Sequence, residues 1–295
     1  MNFKNINDTI FLAEVSSNHN GDINRCKKII EAVAESGCDG VKFQLFKVSE
    51  LFSNEAIAFK PDLKNRVNWE LDPELIPLLS DYSHQKGLLF SCTPFYLEAV
   101  DILKPYVDFY KIASYELLWK DLFRKCGETG LPVVFSTGMS NQHEIQQALD
   151  ILNDSKCEEI IMLHCNSAYP TPLKDVNLNV IDTFRKKFLP NRKYLDFGWS
   201  DHTVKDSVVL SSVLNYRAKV VEFHIDLEGD GYEFEAGHCW LPSQISNVIN
   251  CLKEIKLSKG DGKITPSDSE IFDRNWRADS KDGLRPVQEF RKTLK

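Results

Sequence analysis

The chain has 295 residues, of which 42% are hydrophobic and 27% charged, and its formal net charge at pH 7 is −7. This is an ordinary globular composition, and the absence of a basic stripe argues against nucleic acid as a partner. No segment approaches the ~18 consecutive apolar residues of a membrane span. The eight cysteines form no CxxC pair and no zinc spacing. Scattered thiols fit a reducing cytoplasm better than a disulfide framework.

Eight short β-rich runs follow one another along the chain, and helical patterns separate most of them. The runs cover residues 9–16, 40–46, 88–94, 109–114, 132–138, 159–167, 195–202 and 219–226. Eight strand–helix repeats in a chain of this length predict a (β/α)₈ barrel, here assigned to residues 1–263. Residues 264–295 are predicted to form a short irregular tail.

Several predicted strands alternate strictly between apolar and polar side chains. In the second strand Lys42 and Gln44 oppose the apolar positions, and in the eighth Glu222, His224 and Asp226 do so. Because the outer face of a barrel strand packs on helices, the polar side chains should point into the barrel. Buried polar groups need partners, so this repeated pattern indicates a binding site.

Two histidines stand at the ends of the seventh and eighth predicted strands. Adjacent strands lie ~4.8 Å apart, so His202 and His224 at matching depth can hold one divalent metal ion and leave positions open for substrate. The alternative is a pair of hydrogen-bonded barrel histidines. His164, His19 and His238 are weaker candidates for the same role.

Lys42 and Lys111 lie within predicted strands, where desolvation of an ammonium group is costly. Each could neutralise a phosphate or carboxylate, or one could form a Schiff base. The alternative is a lysine that reaches the barrel rim. Glu14 and Glu116 are candidate acid–base groups or sugar-hydroxyl acceptors, or ion-pair partners of these lysines. Strand-end hydroxyls could bind the same anion: Ser114, Ser136, Thr137, Ser167 and Ser200.

Eight short motifs occur in a fixed order: AEVSSNHNGD, VKFQ, SCTPF, YKIAS, FSTGM with HEI, LHCNSAYPTP, GWSDHT and EFH. Over about residues 9–245 this series resembles the sialic acid synthase family, whose fold is a (β/α)₈ barrel. The resemblance implies that phosphoenolpyruvate adds through C3 to the aldehyde of an open-chain sugar. Water adds to C2, phosphate leaves by C–O cleavage, and a nine-carbon 2-keto-3-deoxy sugar acid results.

The resemblance also implies roles for residues. His202 and His224 match the metal-binding and catalytic positions, with Mn²⁺ the usual ion and Mg²⁺ or Co²⁺ as substitutes, and Glu14 matches the catalytic glutamate. Gln44, Glu116 and Tyr169 match positions that touch the sugar. The matches to phosphoenolpyruvate-binding positions are Lys42, Thr93, Lys111, Ser114, Ser136, Ser167 and Ser200.

The chain departs from the family pattern mainly at the sugar end. Phe223 stands where a basic residue is usual, and Ser16 stands where glycine is usual. The loop after the eighth strand lacks the aspartate that normally binds the sugar, so we expect Glu235, or else Glu233 or His238, to replace it. These departures leave the identity of the sugar substrate open. It is either an N-acetylmannosamine-like aldose or a different aldose.

The usual C-terminal antifreeze-like domain, which lends an arginine to the partner subunit's sugar site, is not expected in this chain. We expect the tail, which carries Arg274, Arg277 and Arg285 beside Trp276, to close over a barrel mouth, with Arg277 as the sugar-binding cation. The alternative is a solvated tail. We also expect a cytoplasmic homodimer that acts on small molecules. The competing functions are a Schiff-base pyruvate aldolase that uses Lys111 and an inactive sugar-binding relative.

Overall fold

The computed structural model of the protein describes residues 2–189, 191, 193–229 and 232–294. The strands are β1 (Ile10–Glu14), β2 (Gly40–Leu45), β3 (Leu89–Pro94), β4 (Phe109–Ile112), β5 (Val133–Ser136), β6 (Glu159–Cys165), β7 (Tyr194–Asp201), β8 (Val220–Ile225) and β9 (Cys239–Trp240). The helices are α1 (Ile23–Glu35), α2 (Val48–Leu51), α3 (Asn54–Phe59), α4 (Ile76–Gln85), α5 (Leu97–Leu103), α6 (Lys120–Glu128), α7 (Gln142–Asn153), α8 (Asn179–Phe188), α9 (Asp206–Leu214), α10 (Tyr232–Glu235), α11 (Pro242–Ser258), α12 (Ile271–Arg274) and α13 (Gln288–Arg291).

Strands β1 to β8 close into a parallel barrel. Each strand pairs with the next, and β1 also pairs with β8, with Glu14 opposite both Lys42 of β2 and His224 of β8. The predicted (β/α)₈ fold is therefore confirmed. The short strand β9 adds to the carboxyl end of β8, where Cys239 lies opposite His224.

The interior of the barrel has an apolar floor below a polar layer. Phe3, from a 3₁₀ turn before β1, is fully buried and packs edge-on against Phe109 of β4. Ile10 and Leu12 of β1 belong to this floor, and Glu14 continues the same parity upward. Alternation along β1, β4 and β8 thus places apolar side chains at the amino end of the interior and charged ones toward its carboxyl end. The outer faces pack on the helices in a separate apolar cluster.

The helices begin and end with recognisable local signals. Asp22 caps α1 by accepting a hydrogen bond from the N–H of Asn24, and Asn141 with Glu144 forms a capping box at α7. The helical patterns in the sequence missed α5, which has only seven residues, and the short helices α2 and α3 between β2 and β3. Short helices give too few turns for a clear 3.6-residue period.

The chain divides into two compact units, one ending at Leu252 and one beginning at Lys253. The division falls inside α11, earlier than the predicted boundary at 263. The second unit contains the short helices α12 and α13, and within it Trp276 packs against Phe290 and Arg291 forms an ion pair with Asp282 at 2.7 Å. Among the described residues, no helix combines the length and apolarity that crossing a membrane requires.

Candidate active site

Four charged side chains form the polar layer of the barrel: Glu14 of β1, Lys42 of β2, Lys111 of β4 and Glu222 of β8. All four are at most 5% exposed. Glu222 lies between the lysines, with Oε1 3.4 Å from Lys42 Nζ and Oε2 3.1 Å from Lys111 Nζ. Lys42 also pairs with Glu14. The structure thus brings together the three predicted residues and adds Glu222 as the group that connects them.

The charges in this layer balance. Burial lowers the pKa of Lys42 to about 8, although Glu222 opposes the effect. Burial by itself raises the pKa of Glu222, but Lys111 and Lys42 outweigh it and lower that pKa to about 2. Ser200 donates a further hydrogen bond to Glu222 Oε2 at 2.9 Å. The layer therefore sets two carboxylate side chains against two lysines, and an anionic ligand can rearrange these contacts.

Hydroxyl groups surround the lysines. Lys42 Nζ donates to Thr93 Oγ1 at 3.0 Å, which places the predicted Thr93 directly on the charged layer. Ser136 Oγ and Ser167 Oγ are buried without a hydrogen-bond partner among the described residues. Unpaired buried hydroxyls are costly and point to a ligand that completes them.

Ser114, Gly138 and Ser167 form a small cradle that follows the carboxyl ends of β4, β5 and β6. The N–H of Gly138 donates to Ser114 Oγ at 3.0 Å. A Cβ atom at Gly138 would lie 2.2 Å from Ser167 Oγ and 2.8 Å from Ser114 Oγ. Only glycine therefore allows both hydroxyls to stand at this point, and the cradle offers hydroxyl donors to an anion.

His202 and His224 face each other at the mouth of the barrel, with ring centroids 5.3 Å apart. His202 Nδ1 lies 2.8 Å from the carbonyl oxygen of Asn166, which orients the ring and leaves Nε2 for another partner. Burial lowers the pKa of both rings, that of His224 to about 4. Neutral imidazoles held in this way are suited to a metal ion, so the predicted pair fits the implied donor set.

The predicted sugar-binding residues occupy different positions relative to this mouth. Gln44 Nε2 donates to Glu14 Oε1 at 2.9 Å, and the Tyr169 ring lies 4.0 Å from that of His202, so both adjoin the site. Glu116 follows β4, and burial raises its pKa to about 7 while Lys111 partly offsets the rise. Glu235 is exposed on α10. Arg277 belongs to the second unit, where Nε donates to the carbonyl oxygen of Arg274 at 2.9 Å.

Glu233, two residues before Glu235, is the side chain of α10 that reaches the mouth. Its Oε2 lies 3.3 Å from His224 Nδ1 and 3.8 Å from His238 Nε2. Burial raises the pKa of Glu233, but hydrogen bonds with the two histidines overcome this effect and hold the pKa well below its usual range. The sequence analysis favoured Glu235. The sequence of a four-residue helix, however, does not fix which of its glutamates turns toward the mouth.

Three further polar side chains near the mouth, two of them candidates from the sequence, make structural contacts at the strand ends. His164 lies on the outer side of β6, where Nε2 contacts the carbonyl oxygen of Val176 at 2.8 Å and the ring packs on Trp199. Asp201 accepts hydrogen bonds from the indoles of Trp199 and Trp240, each at 3.0 Å. Thr137 donates to the carbonyl oxygen of Leu163 at 3.0 Å. These contacts hold the ends of β6, β7 and β9 beside the mouth.

The barrel and its buried, charge-balanced interior place the protein among the (β/α)₈-barrel enzymes that act at the carboxyl ends of their strands. Residues 29–264 match the family model described as the NeuB family. The chain belongs to the NeuB family, a family of sugar acid synthases.

Curated relatives and a solved structure agree with this assignment. The chain is 34% identical over 275 residues to the N,N'-diacetyllegionaminic acid synthase of Campylobacter jejuni, covering 89% of this chain and 80% of that protein. It is 35% identical over 269 residues to an uncharacterized protein of Methanocaldococcus jannaschii, covering 89% of this chain and 75% of that protein. The structure of N-acetylneuraminic acid synthetase from Leptospira borgpetersenii, in complex with citrate, superposes with a TM-score of 0.79 at 28% identity, covering 92% of this chain and 94% of that chain.

Proposed function

We propose that the chain condenses phosphoenolpyruvate with the open-chain aldehyde of an aldose to give a 2-keto-3-deoxy sugar acid and inorganic phosphate. Relatives named as legionaminic, pseudaminic and sialic acid synthases support a nine-carbon acid as the product class. The observation that carries the proposal is the buried pair Lys42 and Lys111, joined through Glu222 in a barrel whose Ser136 and Ser167 hydroxyls are buried and unpaired.

Phosphoenolpyruvate suits this pocket because it carries a carboxylate and a phosphate close together. Binding replaces carboxylate–ammonium contacts within the protein by contacts to the substrate's own anionic oxygens. The hydroxyls of Ser136 and Ser167 and the cradle at Gly138 supply the donors that such oxygens need. In this arrangement Thr93 and Ser200 hold the lysine and the glutamate that face the substrate.

Glu14 is assigned to proton transfer near the reacting carbons. Its Oε1 accepts hydrogen bonds from the Ser16 N–H at 2.8 Å and from Gln44, while Oε2 faces Lys42. A carboxylate oriented from both sides is placed to take the proton of the water that adds to C2 of phosphoenolpyruvate. Glu116, whose pKa burial raises to about 7, can hold a proton beside the sugar.

We assign a divalent metal ion, Mn²⁺ in the usual case of the family, to His202 and His224. Such an ion supplies Lewis acidity toward the aldehyde oxygen as negative charge develops there. Asn166 orients His202 through its carbonyl oxygen, and Tyr169 covers the two imidazoles from one side. These contacts limit rotation of the rings and exclude water from one face of the proposed site.

A panel of aldoses tests the proposal. Purified protein is incubated with phosphoenolpyruvate, Mn²⁺ and each sugar, and phosphate release and product mass are measured. We expect sugar-dependent phosphate release and a product heavier than the aldose by one pyruvate unit. Borohydride trapping of pyruvate on Lys111 would instead indicate a Schiff-base aldolase, and calorimetric sugar binding without turnover would indicate an inactive relative.

We further propose that the protein acts in the cytoplasm as a homodimer. All eight cysteines lie within the described residues and are free thiols, which is typical of a reducing compartment. Sedimentation of the purified chain checks the oligomeric state, and a monomer across the concentrations used for activity would contradict this part of the proposal.

A further inference from the structure

Four potential metal ligands of different chemistry converge beside β8: His224, Glu233, His238 and Cys239. One ligand atom from each lies within 4.8 Å of the others. Two of the residues, His238 and Cys239, are buried, and β9 brings Cys239 into register opposite His224. We call this group the thiol cluster.

The distances around Glu233 resemble those of a coordination sphere. Its Oε2 lies 3.3 Å from His224 Nδ1, 3.8 Å from His238 Nε2 and 3.9 Å from Cys239 Sγ. A tetrahedral zinc site with bonds of about 2.0 to 2.3 Å has ligand–ligand distances of roughly 3.3 to 3.7 Å. The Glu233 contacts are within about half an ångström of that range, and the other ligand atoms lie within 4.8 Å of one another, so side-chain movements of about an ångström close the sphere.

The ligands are oriented from behind by groups outside the thiol cluster. Ser16 Oγ donates to Glu233 Oε1 at 2.7 Å, and Ser17 donates to the same oxygen, which leaves Oε2 for the cluster. Asn18 Nδ2 donates to the carbonyl oxygen of Ile225 at 2.8 Å and lies 3.6 Å from Cys239 Sγ. Supporting contacts of this kind are typical of metal sites, because they fix the orientation of each ligand.

Backbone strain at Ser16 points to the same cluster. Ser16 has a φ of 50°, in the left-handed region that favours glycine and is strained for other residues. Glycine would relieve that strain but would remove the hydroxyl that holds Glu233. The chain thus retains a strained serine where its side chain positions a cluster ligand.

The charge and softness of the donors decide which ion they suit. One carboxylate and one thiolate neutralise a divalent cation, and two imidazoles complete four ligands. Thiolate and imidazole favour Zn²⁺ or Co²⁺, whereas Mn²⁺ prefers oxygen donors. On binding, the thiol proton of Cys239 passes to solvent and the thiolate bonds to the metal.

We propose that the thiol cluster is a tetrahedral, thiolate-containing metal site that selects Zn²⁺ or Co²⁺ over Mn²⁺. The inference deepens the proposed function, because His224 is common to this ligand set and to the His202–His224 pair. An ion held by the thiol cluster therefore takes His224 from that pair, so the two sites are occupied in turn, and the cluster binds Zn²⁺ more tightly than two imidazoles alone allow.

Cobalt substitution tests the site without any substrate. Metal-free protein is titrated with Co²⁺, and we expect visible ligand-field bands with a sulfur-to-cobalt charge-transfer band in the near ultraviolet, at one ion per chain. Cys239→Ser should abolish the charge-transfer band. The matched control is Cys165→Ser, because Cys165 is also buried and its Sγ lies 3.9 Å from the other histidine, His202. This variant should keep the band.

Affinities provide the second measurement. Cys239→Ser should weaken Zn²⁺ binding about 100-fold and change Mn²⁺ binding less than about threefold. Glu233→Gln should weaken Zn²⁺ binding, whereas Glu235→Gln, on the same helix but exposed, should not. Circular dichroism of each metal-free variant confirms that it is folded.

The proposal is overturned if the wild-type protein gives no charge-transfer band, if Cys239→Ser keeps it, or if Cys165→Ser loses it. These outcomes are independent of turnover. If the protein shows the band but releases no phosphate from phosphoenolpyruvate, the metal site is supported and the proposed synthase function is contradicted. If it releases phosphate but shows no band, the synthase function is supported and the metal site is contradicted.

Discussion

Lys111 is the residue whose chemistry depends most on its neighbours. It is 2% exposed, Glu222 lies 3.1 Å from its Nζ, and that nitrogen also donates to the carbonyl oxygen of Ile112 at 3.2 Å. A buried ammonium group needs such partners, and its placement among unpaired hydroxyls suits it to an anionic substrate. The contacts that Lys111 makes therefore decide whether this interior is a substrate-binding site or only a balanced network of ion pairs.

Replacing Lys111 with methionine should lower kcat/KM for phosphoenolpyruvate about 10²- to 10³-fold, because a donor to the substrate's charge is lost. The control is Lys219→Met. Lys219 is also buried, but it contacts the carbonyl oxygen of Ile6 at the opposite end of β8. Phosphate release per folded chain is measured for both variants. Equal losses per folded chain would contradict a specific role of Lys111 in binding phosphoenolpyruvate.

Glu116 provides a pH signature. Burial raises its pKa from 4.5 to about 7, so between these values the folded chain binds more protons than the unfolded chain. The free energy of unfolding should therefore fall as pH rises through that window. Glu116→Gln should remove this slope and raise stability at about pH 8 by up to ~3 kcal/mol. Urea unfolding at several pH values measures the free energy of unfolding. If Glu116→Gln has the same pH slope as the wild type, the assignment is contradicted.

At the scale of elements, the carboxyl ends of neighbouring strands and the turns that follow them build the site. The turn after β5 brings Gly138 between Ser114, which follows β4, and Ser167, which follows β6. Because parallel strands end at one edge, hydroxyls that are distant in sequence meet around a single glycine. The close approach of these three residues accounts for the cradle.

Gly138→Ala should raise the KM for phosphoenolpyruvate about tenfold or more, since its Cβ would lie 2.2 Å from Ser167 Oγ and displace a donor. The change lies on the loop after β5, so the midpoint of thermal unfolding should shift much less than activity does. Steady-state kinetics and calorimetry separate the two effects. An unaltered KM would show that the cradle does not hold the substrate.

Strand alternation explains why so much of the barrel could be predicted from sequence. The opposed parities of Phe43 and Lys42, or Phe223 and His224, report inner and outer faces directly. Glu222 has the same parity as His224, so the strand pattern places its side chain inside the barrel. Strand alternation predicts the face on which a side chain lies, but it does not predict which neighbouring side chain it contacts. Glu233 could not be assigned, because the conformation of a short loop helix is set by tertiary contacts with Ser16 and His224.

At the scale of the whole molecule, the chain consists of a barrel unit that contains the described site and a second unit that begins at Lys253. Each unit has internal contacts of its own, such as the Phe3 floor of the barrel and the Trp276–Phe290 pair of the second unit. That Arg277 is a sugar-binding cation stays a prediction from the sequence.

Truncation after Lys263 tests this role. Loss of a guanidinium contact to the sugar should raise the sugar KM about tenfold or more, equivalent to about 1.4 kcal/mol of binding, and leave the KM for phosphoenolpyruvate nearly unchanged. Arg277→Ala in the full chain is the point control. Equal sugar KM values for the wild-type and truncated chains would show that residues 264–295 do not contribute to the sugar site.

The most direct measurement of the central claim follows the bridging oxygen of phosphoenolpyruvate. Substrate carrying heavy oxygen between C2 and phosphorus is supplied with an aldose that turns over, and the released phosphate and the product are analysed by mass spectrometry. Condensation in the buried lysine pocket with C–O cleavage predicts that the label appears in phosphate and that the product gains one unlabelled pyruvate unit. Label retained in the product, or pyruvate incorporation without phosphate release, would contradict the account.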